Sequence, residues 1–167
     1  MSDYLRDFSC NIPDRIDSMN QFTPAEGLLD NTQITAGSYI AHIAVPCSDL
    51  TVTAKWYAEV LGVQPVRLLD DRVTFSFGGV LQLVCHLERR AVDSSSRAYP
   101  RHFGLTFLKM EDFLRMSHHI EKLGVKMMTH ATARFADTPH EHQTFMLVDP
   151  SNNVLEFKCY LRPELSY

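Results

Sequence analysis

A chain of 167 residues, 45% hydrophobic and 22% charged, can build one domain with a proper core or two small similar halves packed together. Its formal net charge of -4, with no basic stripe beyond Arg89-Arg90, argues against nucleic acid as the main partner, because neutralising phosphates takes concentrated Lys and Arg. No run approaches the ~18 apolar residues of a membrane span, the N-terminus lacks the basic-then-apolar order of a secretion signal, and Cys10, Cys47, Cys85 and Cys159 lack the close pairs of zinc fingers or dithiol motifs. The expectation is a soluble cytoplasmic protein in a reducing compartment, with Cys85 and Cys159 as buried thiols.

Residues 1–38 are polar and interrupted by Pro13, Pro24, Gly27 and Gly37, with a short turn of helix near Pro24 to Leu29. They read as an N-terminal extension, either a loose tail or an arm across a partner subunit. From Tyr39 the texture changes. Tyr39 to Pro46 is a strand-like run ended by a proline. Ser48-Asp49-Leu50-Thr51 is a helix entry, and Val52, Trp56, Tyr57, Val60 and Leu61 follow the 3.6-residue period until Gly62 stops it. Strand-like runs follow at Val63 to Leu69, Arg72 to Phe77 and Val80 to Leu87, separated by Asp70-Asp71 and Gly78-Gly79.

After a polar connector over residues 89–100, the order repeats. Arg101 to Phe107 is a strand, and Met110 to Leu123 a helix with Phe113, Leu114, Met116, Ile120 and Leu123 as its apolar stripe and Gly124 as its stop. Val125 to Phe135 and His142 to Val148 are strands around a Pro-containing loop, and Asn152 to Tyr160 closes the pattern. Leu61-Gly62-Val63 and Leu123-Gly124-Val125 fall at equivalent places, so the chain divides into a first β-α-β-β-β module over 39–88, a linker over 89–100, a second module over 101–161 and a tail over 162–167.

The repeat aligns polar side chains. His42 lies in the first strand of one half and His102 in the first strand of the other. In the last strand of the second half, Glu156, Lys158 and Tyr160 oppose Leu155, Phe157 and Cys159, because successive strand residues point to opposite faces. A solvated strand glutamate is the bland reading of Glu156. In the last strand of the first half, Val80, Gln82, Val84 and His86 oppose Leu81, Leu83 and Cys85. If a pseudo-twofold relates the halves, Gln82 is the counterpart of Glu156, and His42, Gln82, His102 and Glu156 converge. Two imidazole nitrogens and two oxygens suit a borderline divalent metal such as Zn, Ni, Co, Fe or Mn.

The chain resembles the vicinal oxygen chelate superfamily, which includes glyoxalase I, methylmalonyl-CoA epimerase, extradiol dioxygenases and bleomycin- or fosfomycin-resistance proteins. The matching stretches are 41–46, 56–62, 101–104 and 149–157, within a coverage of residues 39 to 160. The resemblance implies an α+β fold of paired modules whose mixed sheet curls around a metal cup, a small substrate chelating through adjacent oxygens, and a homodimer. Carried over by position, His42, His102 and Glu156 are metal ligands, with Gln82 the least secure fourth and His86 its possible replacement.

Three activities remain open. A metal-dependent isomerase, epimerase or lyase would use Glu156 as ligand and base and His86 as a second base. An Fe(II) extradiol-type dioxygenase would use His42, His102 and Glu156 alone. A metal-free drug- or metabolite-binding protein would use the cup without chemistry. His142, Thr144, Lys158 and Tyr160 are the candidates for substrate contact, while His118-His119 read as surface residues.

Overall fold

The alternation of apolar and polar positions needs a covered face for each half, and the chain supplies it by packing two sheets and two helices around one core. The computed structural model of the chain describes residues 40–88 and 97–165; the expected extension and most of the linker lie outside these. β1 (Ala41–Cys47), α1 (Leu50–Leu61), β2 (Pro65–Leu68), β3 (Arg72–Phe77) and β4 (Leu81–Leu87) form the first half. The second comprises β5 (Phe103–Phe107), α2 (Met110–Leu123), β6 (Met127–Arg134), β7 (His142–Val148) and β8 (Val154–Tyr160), with a 3-10 turn at Pro163–Leu165. The sheets have the orders β1-β4-β3-β2 and β5-β8-β7-β6, so each half brings its last strand beside its first. That neighbour pair is parallel and the rest are antiparallel, giving mixed α+β sheets that do not close.

Both helices start and stop on local chemistry. Asp49 caps α1, its Oδ1 accepting from the Val52 amide at 2.9 Å, and Gly62 and Gly124 end α1 and α2 in the left-handed region at φ 68° and 66°. The buried face of α1 is Thr53, Tyr57, Val60 and Leu61, and Val52, expected inward, is exposed. In α2 the buried residues are Phe113, Ser117 and Ile120, leaving Leu114 and Leu123 outside. Small Thr53 and Ser117, each four residues from an aromatic, let the helices sit close to the sheets. A purely hydrophobic count therefore set the inward stripe too wide.

The core is continuous across the halves, with Tyr57 stacked on Phe75 and Phe145 on Phe157. Cys47, Cys85 and Cys159 are buried in it as free thiols, and burial raises the pKa of all three. No helix among the described residues is long and apolar enough to cross a membrane.

The turn between β7 and β8 clasps the halves together. Asp149 Oδ1 accepts from the amides of Ser151 and Asn153, while Oδ2 accepts from Asn153 Nδ2 and from the Tyr57 hydroxyl of α1 at 3.2 Å. Asn153 Nδ2 also donates to the Pro46 carbonyl at 2.8 Å, and Ser151 Oγ accepts from the Ser48 amide. Burial pushes the Asp149 carboxyl above its ordinary value, against the lowering effect of these hydrogen bonds.

Candidate functional site

In the second sheet, register sets which side chains meet. Gly104, Glu156 and Met146 share one row across β5, β8 and β7; Thr106, Lys158 and Thr144 share the next; Tyr160, His142 and Arg134 share a third across β8, β7 and β6. Partners in register present side chains to the same face, so Glu156, Lys158, Tyr160, Thr144 and His142 lie together as the alternation predicts. Glu156 is not the solvated edge residue of the bland reading: β8 is an interior strand, and Glu156 is only 9% exposed.

Both carboxylate oxygens of Glu156 are engaged. Oε1 accepts from Thr144 Oγ1 at 3.0 Å, and Oε2 faces His102 Nε2 at 3.4 Å and Lys158 Nζ at 3.3 Å. Thr144 is buried, and its single hydroxyl proton serves either Glu156 or the Phe157 carbonyl at 3.1 Å. Its place is behind the carboxylate, orienting it.

His102 lies one residue before β5, not within a strand as expected. Its Nδ1 is 2.7 Å from the Ala98 carbonyl, which can only accept, so Nδ1 carries a proton and Nε2, 3.4 Å from Glu156 Oε2, is the ring nitrogen left to meet a ligand. An imidazole nitrogen and a carboxylate oxygen 3.4 Å apart, each group held from behind by a second hydrogen bond, are the donor types that suit a borderline divalent ion. His142 is fixed in the same way, with Nδ1 2.9 Å from the His140 carbonyl and its ring between Phe135 and Tyr160.

The other candidates sit on the first sheet. His42 lies opposite Gln82 in the parallel β1-β4 register, and His86, two positions further on the same face, lies opposite Pro46 and Arg72. His42, Gln82 and His86 are all exposed, in contrast to buried Glu156, Thr144 and His142 on the second sheet. The chain thus brings together two pairs, His102 with Glu156 and His42 with Gln82. Among the described residues, no three His, Cys, Asp or Glu side chains gather at one point. His118 and His119 are exposed on α2, as expected.

Two contributors were not foreseen. Arg134 Nη2 donates to the Tyr99 hydroxyl at 3.1 Å, and the Tyr99 ring stands edge-on to His102 at 5.4 Å. Tyr99 belongs to a polar stretch without periodicity, so no pattern marked it. Arg134 could have been found only by carrying the β7 register across to β6, where two irregularities break the count.

Comparison with known proteins agrees with this architecture. A structure of a glyoxalase/bleomycin resistance protein/dioxygenase from Alicyclobacillus acidocaldarius is 38% identical, covers 78% of this chain and 97% of its own, and superposes with a TM-score of 0.73. A virulence protein of Salmonella typhimurium is 25% identical over 122 residues, 73% of this chain and 84% of the relative. Lactoylglutathione lyase from Agrobacterium tumefaciens, 20% identical with a TM-score of 0.57 over 73% of this chain and 93% of its own, shares the fold. The family model for the Glyoxalase/Bleomycin resistance protein/Dioxygenase superfamily matches residues 39–157. With its tandem modules, parallel closing strands and paired polar residues, the chain belongs to that superfamily.

Proposed function

We propose that the chain is a divalent-metal-dependent enzyme of the glyoxalase type, whose site is shared between two copies: His102 and Glu156 of one copy face His42 and Gln82 of the other. The observation that carries this reading is the convergence of His102 Nε2 and Glu156 Oε2, with the His102 tautomer set by the Ala98 carbonyl. Its counterpart is the exposed pair His42 and Gln82, opposite one another in the β1-β4 register. Zn, Ni, Co, Fe or Mn held by this set would polarise adjacent substrate oxygens and stabilise charge that builds as a neighbouring proton leaves.

The chain's own residues divide the remaining work. Glu156, oriented by Thr144, accepts the proton in an isomerisation, epimerisation or lyase reaction on a small oxygen-chelating substrate. His86, on the face of His42 and Gln82, is the candidate second acid, which would deliver its own proton to the product while Glu156 keeps the one it took. His142, Lys158 and Tyr160 line the way in from the second sheet.

One observation favours a second reading. Glu156 already faces a cation, Lys158, and a donor, Thr144, so its charge is compensated without metal, as a metal-free binding protein would need. Elemental analysis after loading and dialysis separates the two. One metal per chain, lost in both His42→Ala and His102→Ala and accompanied by a dimer in sedimentation, supports the enzyme reading. Wild-type protein that retains no metal overturns it. Oxygen uptake with catechols after anaerobic Fe(II) loading would move the chemistry to the extradiol dioxygenase class.

A further inference from the structure

We propose that the substrate carries, beside its chelating oxygens, a second charged group, an oxyanion of the carboxylate or phosphoryl kind, held between Lys158 and Arg134. This rests on the metal-site reading for the chelating end alone. On one face of the second sheet, contacts run in a circuit that strand register closes between His142 and Arg134. Glu156 Oε2 meets Lys158 Nζ at 3.3 Å, and that ammonium lies 5.8 Å from the Tyr160 ring centre. The Tyr160 and His142 rings are 4.9 Å apart, and His142 is in register with Arg134. Arg134 donates to Tyr99, Tyr99 abuts His102, and His102 returns to Glu156. Thr144, beside Lys158, forms the floor.

The charge around this circuit does not balance. It holds one carboxylate and two side-chain cations, and a guanidinium stays charged at any physiological pH. Among the described residues no carboxylate lies within ion-pair distance of Arg134, whose hydrogen bond to Tyr99 uses a single N–H of its five. Arg134 is on β6, the outer strand, yet its guanidinium reaches a tyrosine that precedes β5, the strand at the opposite edge. Arg134 and Tyr99 are both exposed, so the pair can meet a ligand arriving from solvent. Once Glu156 is committed to a metal ion, Lys158 loses the one carboxylate it faces among the described residues, and the surplus positive charge grows. An oxyanion resolves that surplus with charge-assisted hydrogen bonds from both cations.

The test uses four hydroxamates, which chelate metal through two adjacent oxygens and differ only in the tail: acetohydroxamate, butyrohydroxamate, succinic monohydroxamate and 3-phosphonopropionohydroxamate. Calorimetry on Zn(II)-loaded protein should find at least one acid-tailed probe about tenfold or more tighter than butyrohydroxamate, the better of the two naming the oxyanion. Arg134→Met and Lys158→Met should abolish that preference. Arg134→Met should leave acetohydroxamate affinity unchanged, and Tyr99→Phe, which removes the hydrogen bond and keeps the cation, should retain the preference. Equal affinity for the butyro and both acid probes in the wild type overturns the proposal, as does a preference that survives Arg134→Met, which would make Arg134 a structural tie. If no hydroxamate binds, the metal reading has failed, and succinate titrated into metal-free protein decides. Binding abolished by Arg134→Met sustains the oxyanion site, and no binding overturns it.

Discussion

Replacing Gly104 with alanine should force β5 away from β8. A Cβ built on Gly104 falls 2.6 Å from the Glu156 carbonyl carbon and 2.9 Å from its amide nitrogen, and closer still to the carbonyl oxygen. Carbon atoms pack at about 3.5–4.0 Å, so the carbon contact alone demands a retreat of roughly 1 Å and the closer carbonyl oxygen more, and the atoms met are backbone with no alternative rotamer. The parallel ladder runs from Phe103 opposite Leu155 to Phe107 opposite Cys159, so the clash lies inside it, two residues from His102. Overpacking that side chains can absorb costs about 1–3 kcal/mol; with backbone on both sides we expect the upper end, ~3 kcal/mol. For a chain of this size that lowers Tm by roughly 10 °C. Thermal melts followed by circular dichroism measure it, with calorimetric metal titration beside them to report whether His102 and Glu156 have separated. A variant melting within about 2 °C of wild type, with unchanged metal affinity, would refute the close-approach argument and its link to the site.

Thr144→Val removes the donor to Glu156 Oε1. Hydrogen bonds to charged groups contribute about 1.5–3 kcal/mol, so urea unfolding should show a loss near the lower figure, and metal affinity should fall about tenfold. Thr144→Ser should recover both, and a valine variant matching wild type would exclude the orienting role. Tyr57→Phe deletes the hydroxyl that ties α1 to Asp149, at a cost of about 1 kcal/mol and a Tm lower by roughly 3 °C, without change in metal affinity. Asp149 gives a pH prediction. Its folded pKa lies above the unfolded value of about 3.9, so the native state holds the proton more tightly than the unfolded chain. Stability from this group is fully present below that unfolded value and is lost as pH rises through the raised one. The stability advantage of wild type over Asp149→Asn, measured by chemical denaturation, should therefore shrink from acid toward neutral pH, and an advantage that grows with pH contradicts the sign.

The repeat was readable because its punctuation is chemical. Gly62 and Gly124 end their helices in a left-handed conformation that glycine accepts most readily, and the Leu-Gly-Val spacing carries that signal. Strand alternation correctly put Glu156, Lys158 and Tyr160 on one face. It could not give depth. Whether Glu156 is solvated depends on strand order, which local sequence does not encode, and β8 lies between β5 and β7. The helix stripes went astray for a related reason, since the inward residue at a close helix-sheet contact can be small and polar, as Thr53 is. The separation of His42 and Gln82 from His102 and Glu156 was hidden as well. Repeat symmetry says which positions are equivalent, and it is silent on whether equivalent positions meet within one chain or across two.

Pro46 has a consequence for how copies of this protein can meet. It sits in β1, the outer strand of the first sheet, where an unpaired backbone offers itself to any passing strand. Proline has no N–H to offer, and its carbonyl already accepts from Asn153 Nδ2. Both groups that a docking strand would grip are therefore out of reach at that point, which interrupts the edge as a template for open-ended stacking. Association along β1 then has to proceed through side chains, which have a definite shape and a definite stoichiometry, so contacts made through this edge should favour finite assemblies over open-ended stacking.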